Sequence, residues 1–99
     1  MLFTFLGYRP LDFVDKKTGE RIIGTQLFVT APFDSIAKLH GAVGYEPDKY
    51  FLDPDMFDLF LADQPEGFAL KPGDHLDLDL NRKNHCIGLR FVEHSDKLI

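Results

Sequence analysis

The chain has a single cysteine, Cys86, among its 99 residues. One cysteine cannot form a disulfide within the chain, so we expect a reducing, cytoplasmic location. No apolar run approaches the roughly 18 to 20 residues that a membrane-spanning helix needs, and we expect no membrane partner. The first ten residues lack a basic region and a small-residue cleavage site, so a secretory signal peptide is not expected.

Motifs of catalysis and of metal binding are also scarce. No serine lies in a nucleophile-elbow sequence, and no glycine-rich loop is suited to phosphate binding. Cys86 follows His85, but adjacent strand residues point to opposite faces, which predicts that Cys86 is a small core residue. His75, Asp77 and Asp79 alternate along one strand at spacings of about 6.5 to 7 Å, too wide for three ligands of one ion. We therefore expect no enzyme activity, no metal and no cofactor.

Apolar residues are plentiful, at 44% of the chain, and ten of them are phenylalanines. This predicts one small domain over residues 1–99 with a real core. The formal charge of −5 opposes a nucleic-acid partner at face value. However, residues 46–66 carry a charge of −6, whereas residues 1–45 carry +1 and residues 67–99 carry zero. Because exposed charges act over only about 8 to 10 Å at physiological salt, each region must be considered separately.

Alternation of apolar and polar residues predicts most of the elements. Residues 2–30 read as a long, curved β-hairpin with a polar turn over 15–20. Gly24 interrupts its second strand and predicts a bulge or a sharp bend there. Beyond the hairpin we predict a helical turn over 35–40, a third strand over 49–52 and a helix with Asp53 as its cap and Pro54 as its first residue. A second hairpin of strands 75–80 and 86–92 follows, with its tip at 81–84.

Five short strands with one short helix between the third and fourth predict a mainly β fold, a Greek-key barrel of the OB type. An α+β roll with a four-stranded sheet is the structural alternative. Ligands of an OB barrel bind between the loop that joins strands 1 and 2 and the loop that joins strands 4 and 5. In this chain those two loops, residues 15–21 and 81–85, both carry basic side chains although the protein is acidic.

Basic tips and aromatic residues together suit unpaired nucleic acid. Cations contact the phosphates, and each base that stacks on an aromatic ring contributes roughly 1 to 3 kcal/mol. The ordinary explanation is that lysine-rich tips protect sheet edges and that aromatics fill the core. The candidate nucleic-acid-binding residues are Tyr8, Arg9, Lys16, Lys17, Arg21, Phe28, Tyr50, Arg82 and Lys83.

Short stretches of the chain also resemble a known group of proteins. The matching pieces are Gly7-Tyr8-Arg9 with Asp12-Phe13, then Gly24-Thr25-Gln26-Leu27-Phe28, and finally Pro72-Gly73-Asp74 with Asn81-Arg82-Lys83. They resemble small OB-fold, single-stranded-DNA-binding-like proteins of Gram-positive phages and conjugative elements, which are in turn similar to the single-stranded-DNA-binding protein of filamentous phage. The resemblance implies a small barrel, often a homodimer, that coats unpaired DNA without reading its sequence. The acidic segment 46–66 departs from this pattern.

Two functions follow as hypotheses. The first is a non-catalytic, sequence-tolerant protein that binds single-stranded DNA through the candidate residues. The alternative is an acidic protein-interaction module, or an inhibitor from a mobile element, that docks on a basic protein partner through residues 46–66. A homodimer is expected under either hypothesis, because a barrel of this size leaves strand edges and aromatic surface to cover.

Overall fold

A computed structural model of the chain, described here for residues 2–83 and 85–94, contains five antiparallel strands in one sheet. The strands lie in the order β3-β2-β1-β4-β5, and two helices accompany them. The prediction of a mainly β fold is confirmed. The elements are β1 (Leu2–Val14), β2 (Arg21–Pro32), α1 (Ser35–Leu39), β3 (Tyr45–Leu52), α2 (Pro54–Ala62), β4 (His75–Leu80) and β5 (Cys86–Glu93).

The first two strands form the long hairpin that the sequence predicts. Its last pair is Val14 opposite Arg21, and a turn at Gly19, whose φ is 75°, reverses the chain. β3 pairs with β2 only as far as Thr25 opposite Leu52. β1 and β2 therefore continue past the sheet as a two-stranded ribbon, which extends roughly 14 Å from Thr25 to the start of β2 at Arg21, at four steps of 3.4 Å.

Gly24 does not mark the bulge that the sequence predicts. It lies in an unbroken stretch of β1–β2 register, and the irregularity lies in β1 between Phe5 and Gly7. A Cβ added at Gly24 would overlap the ring of Phe51 and lie 2.6 Å from the carbonyl oxygen of Leu52. The position has no room for a side chain because the Phe51 ring lies directly against the backbone of β2.

The core lies on one side of the sheet, under α2. Leu27, Leu52 and Leu76 from three strands are completely buried there. Phe57 and Phe60 of α2 belong to the same buried cluster, which places the helix on the core side. Because α2 packs on the core side, it leaves the opposite side of β1, β2 and β3 uncovered.

The helices differ from the prediction in number, since the turn over 35–40 forms a full element, α1. Its start is fixed by Asp34, whose carboxylate accepts a hydrogen bond from the Ala37 amide at 2.7 Å. α2 begins at Pro54 as predicted, but Asp53 at its N-cap position makes no capping hydrogen bond with its side chain. No helix in the described part of the chain is long and apolar enough to span a membrane.

The sheet is open between β3 and β5. Across residues 2–83 and 85–94, no backbone pairing joins these two edge strands. The sheet has five strands rather than the four of the alternative α+β roll, and the predicted closed barrel stays a prediction.

The core side of the sheet dominates the stability of the fold. Leu27→Ala should lower the free energy of unfolding by about 2 to 5 kcal/mol, because it removes a completely buried side chain and leaves a cavity. Leu59→Ala is the matched control, since Leu59 is 69% exposed and its loss should change stability by no more than about 0.5 kcal/mol. Urea unfolding of both variants measures the difference, and equal midpoints would contradict this assignment of the core.

Candidate nucleic-acid interface

The outer face of β1, β2 and β3, opposite the core, carries aromatic rings and cations side by side. Arg9 of β1 lies opposite Gln26 of β2, which lies opposite Phe51 of β3. One step along the sheet, Phe28 lies opposite Lys49. Successive side chains of a strand alternate between faces, so these five residues share the outer face. We call Arg9, Gln26, Phe28, Lys49 and Phe51 the outer-face cluster.

Acidic residues are absent from the outward strand positions of β1, β2 and β3 in the described part of the chain, although Asp53, which directly follows β3, lines a cavity together with Phe51. The carboxylate of Asp48 lies on the core side, where its Oδ2 accepts a hydrogen bond from the hydroxyl of buried Tyr50 at 3.1 Å. Glu46 shares that side by alternation. The outward positions are Gly7, Arg9, Leu11 and Phe13 of β1, Ile22, Gly24, Gln26 and Phe28 of β2, and Pro47, Lys49 and Phe51 of β3.

Neighbouring contacts hold the cluster in place. Arg9 Nη2 donates a hydrogen bond to Gln26 Oε1 at 2.6 Å, and the Arg9 guanidinium carbon lies 6.0 Å from the centroid of the Phe28 ring. This is a cation–π distance, so the guanidinium and the ring orient each other. Phe28 and Phe51 are both half-buried, and Phe51 is seated on Gly24. Each ring therefore has support from the sheet and a part that is open to solvent.

The β4–β5 tip lies beside the outer-face cluster. A cavity of about 370 Å³ is lined by Phe51 of the cluster and by Asn81 and His85 of the tip. The predicted residues Arg82 and Lys83 lie between those two tip residues in sequence and are exposed. The fold thus brings one of the two basic loops next to the Phe51 ring of the outer face.

Two predicted tyrosines lie elsewhere. Tyr50 is only 8% exposed, and its ring packs at 5.6 Å from that of Phe3 in the core. Burial, together with the hydrogen bond to Asp48, raises the pKa of Tyr50 to about 12. Tyr8 faces the core side, with its ring centroid 4.6 Å from that of Phe57. Neither ring is on the face that carries Phe28, so both are left out of the candidate interface.

The β1–β2 tip is divided between paired and unpaired cations. Arg21 donates from Nε and Nη2 to the two carboxylate oxygens of Asp12, at 2.9 and 2.8 Å, and this pairing lowers the pKa of Asp12. Its charge is thereby balanced within the ribbon. Lys16 and Lys17 are exposed at the far end of the ribbon, and neither forms an ion pair with a described residue. They lie beyond the cluster and are not part of it.

Lys49 and Phe51 are members of the interface that the sequence analysis missed. The signal was present in the alternation of β3. Lys49 lies two residues before Phe51 and marks the solvent side, whereas Leu52 lies two residues after Tyr50 and marks the core side. Reading that short pattern as a strand with two distinct faces selects Phe51, not Tyr50, as the outward ring.

The alternating aspartates of β4, Asp77 and Asp79, pair with an arginine of β5. Arg90 of β5 donates to Asp77 Oδ2 at 2.8 Å and to Asp79 Oδ2 at 2.9 Å, which lowers the pKa of both carboxyl groups. Among the residues that the structure describes, no three histidine, cysteine, aspartate or glutamate side chains are grouped to hold a metal ion. Cys86 is buried, as expected, and its burial raises the pKa of the thiol.

Replacing Arg90 should change the acid titration of Asp77 and Asp79. In Arg90→Gln we expect the pKa values of Asp77 and Asp79 to rise toward the ordinary value of about 3.9. A carboxyl group whose pKa is lowered by folding adds stability above its unfolded pKa and loses it as the pH falls through the folded pKa. The native protein should therefore lose stability below about pH 4 more steeply than the variant. Carboxyl ¹³C NMR titration measures the values, and unchanged values in the variant would refute the assigned cause.

Comparison with protein-family models, with curated proteins and with solved structures finds no match to this chain. The function is therefore inferred from the surface itself. The features available for that inference are the outer-face cluster, the basic tip beside it and the cavity between them.

Proposed function

We propose that this protein binds single-stranded DNA, without catalysis, on the outer face of β1, β2 and β3. The observation that carries the proposal is the outer-face cluster, in which two half-buried rings lie beside Arg9 and Lys49 and no carboxylate occupies the described outward positions of β1, β2 and β3. Bases stack on Phe28 and Phe51 regardless of their identity, because every base has a π face. Arg9 and Lys49 contact the phosphates, and Arg82 and Lys83 extend the cationic path.

The acidic balance of the chain is compatible with this proposal. The exposed carboxylates of Asp55 and Asp58 lie on α2, and that of Asp63 directly follows the helix, which packs on the core side of the sheet. The sheet and the core lie between them and the outer face. Exposed charges more than about 8 to 10 Å apart are largely screened at physiological salt. Repulsion from these three carboxylates therefore weakens binding on the outer face only modestly.

The strand order supports an OB-like barrel as the fold of the proposed DNA-binding protein. An OB barrel opened between its third and fifth strands has the order β3-β2-β1-β4-β5, and its helix lies between the third and fourth strands, as α2 does. Its binding surface is the face of strands 2 and 3 next to the loop between strands 4 and 5. The outer-face cluster and the β4–β5 tip occupy the corresponding positions.

Titration of a fluorescent oligo-dT at about 50 and 200 mM salt tests the proposal directly. Four phosphate contacts, from Arg9, Lys49, Arg82 and Lys83, predict a slope of log K against log salt of about −2.8, since each contact to a single strand contributes about −0.7. Absence of binding at the lower salt concentration, or binding that does not depend on salt, would contradict the proposal.

A second candidate function is docking on a basic protein partner. Leu59 is 69% exposed on α2 between Asp55, Asp58 and Asp63, and none of these carboxylates forms an ion pair with a described residue. A triple variant with asparagine at these three aspartates separates the two functions. The DNA-binding proposal predicts unchanged or slightly tighter binding of oligo-dT. The docking alternative predicts that a basic partner captured by the native chain is no longer captured.

A further inference from the structure

A cavity lies where the sheet is open between β3 and β5, and its lining suits a small ligand. Its volume is about 370 Å³, and Phe51, Met56 and Ile87 supply an aromatic and aliphatic lining. Asp53, Asn81 and His85 supply polar groups. Phe51 belongs both to this cavity and to the outer-face cluster, so a strand that stacks on the cluster passes the mouth of the cavity.

The amide of Asn81 is oriented by the loop that carries it. Its Oδ1 accepts hydrogen bonds from the backbone amides of Lys83, at 2.9 Å, and of His85, at 3.0 Å. Only the oxygen of a side-chain amide can accept from an N–H group, so these two bonds decide which end faces the loop. The Nδ2 group is directed away from the loop backbone, and it has two hydrogens to donate and no acceptor among the described residues.

The carboxylate of Asp53 also has no hydrogen-bond partner in the first turn of α2 and no ion-pair partner among the described residues. It occupies the N-cap position of α2, where an aspartate ordinarily accepts a hydrogen bond from the first turn, but it makes no such bond. An ionised carboxylate only accepts hydrogen bonds, through two oxygens side by side. Besides the imidazole of His85, the cavity therefore offers the amide donor of Asn81 and the paired acceptors of Asp53.

We propose, on the basis of the DNA-binding function above, that this cavity receives one unpaired guanine base of the bound strand. The Watson–Crick edge of guanine presents the acceptor O6 and then two neighbouring donors, N1–H and N2–H₂. Asn81 Nδ2 donates to O6, and the Asp53 carboxylate accepts from both donors. Phe51 and Met56 contact the faces of the base, as side chains do around bases that are read outside a stack.

The other bases match the Asn81 amide and the Asp53 carboxylate less well. Thymine has one donor between two carbonyl oxygens, and one of those oxygens would face the Asp53 carboxylate. Cytosine and adenine each place a ring nitrogen acceptor beside their amino group, so a carboxylate can accept from one atom but is repelled by the next. The rings of the outer-face cluster accept any base, and the cavity adds a preference for guanine at one position.

Competition between matched oligonucleotides tests the inference. The probe is an oligo-dT of about 16 nucleotides, the upper end of the site size of one OB fold. It is compared with the same oligonucleotide carrying one central guanine, or one central hypoxanthine, which lacks the N2 amino group. We expect the guanine oligonucleotide to bind about 5- to 150-fold more tightly than oligo-dT, as one bidentate contact to a base allows. The hypoxanthine oligonucleotide should lose most of that gain.

Two single-charge variants complete the test. Asp53→Asn should abolish the preference for guanine and keep binding of oligo-dT, whereas Asp55→Asn, which removes the same charge outside the cavity lining, should keep the preference. Equal affinity of the native protein for all three oligonucleotides would overturn the guanine site and leave the DNA-binding proposal intact. A guanine preference that survives in Asp53→Asn would also overturn the site. Failure of every oligonucleotide to bind would overturn the DNA-binding proposal itself.

Discussion

Binding of oligo-dT should fall below detection at about 150 mM salt in a double variant, Arg9→Glu with Lys49→Glu. The two cations lie on either side of Phe28 on the outer face, and each is expected to contact a phosphate. Reversing them removes two counterion-releasing contacts and places two carboxylates among the outward positions of β1, β2 and β3, which have none in the described part of the chain. The neutral version, Arg9→Gln with Lys49→Gln, should weaken binding and reduce the magnitude of the salt slope by about 1.4.

A charge-matched control separates the local effect from the change in net charge. Lys38→Glu with Lys71→Glu alters the total charge by the same amount, at exposed positions in α1 and in the turn before β4. This control should retain most of the binding, because screening limits distant charges. All of these side chains are exposed, so the free energy of unfolding should change by no more than about 0.5 kcal/mol per substitution. Equal loss of binding in both double variants would show that the outer face has no special role.

Removal of the two rings should produce the second large effect. Phe28→Ala and Phe51→Ala should each weaken binding about 5- to 150-fold, which corresponds to the 1 to 3 kcal/mol of one base stacked on one ring. The two residues lie diagonally across β2 and β3, at about 7 to 8 Å, so they serve different bases, and their effects should multiply. The salt slope should change little, since no cation is removed. Fluorescence anisotropy at several salt concentrations measures both quantities.

Aromatic replacement is the control for these two positions. Phe28→Tyr and Phe51→Tyr keep the π face and should bind nearly as the native protein does. Phe28→Leu and Phe51→Leu keep the apolar bulk but lose the ring, and they should resemble the alanine variants in binding while unfolding at a higher urea concentration. If leucine restored binding as well as tyrosine does, general apolar contact would explain the interface and base stacking would not.

Local chemistry explains why much of the fold could be predicted. The first hairpin follows from alternation and a glycine-containing turn, and the start of α2 follows from an aspartate and a proline in sequence. These signals act over a few residues, so one sequence is enough to read them. Gly24 shows where that reading fails. Its small size serves the ring of Phe51 on another strand, and no neighbour in sequence indicates that contact.

The interface was harder to predict because it depends on which face each residue occupies. Tyr50 and Phe51 are adjacent aromatics, and only the β2–β3 register shows that the first lies in the core and the second on the outer face. The sequence predicts Arg21 as a phosphate ligand, but in the hairpin its Nη2 lies 2.8 Å from Oδ2 of Asp12 and pairs with that carboxylate. Charge and aromatic content can thus be counted from a sequence, but their arrangement on faces is set by tertiary pairing.

The location of DNA on the outer face is the central claim, and an NMR titration tests it most directly. In ¹H–¹⁵N spectra recorded as oligo-dT is added, the amides of Arg9, Phe28, Lys49 and Phe51 should shift progressively, together with those of the β4–β5 tip. The amides of α2 should shift little, because the helix lies on the core side. Shifts concentrated in α2, or oligo-dT binding that leaves β1, β2 and β3 unperturbed, would contradict the proposed interface.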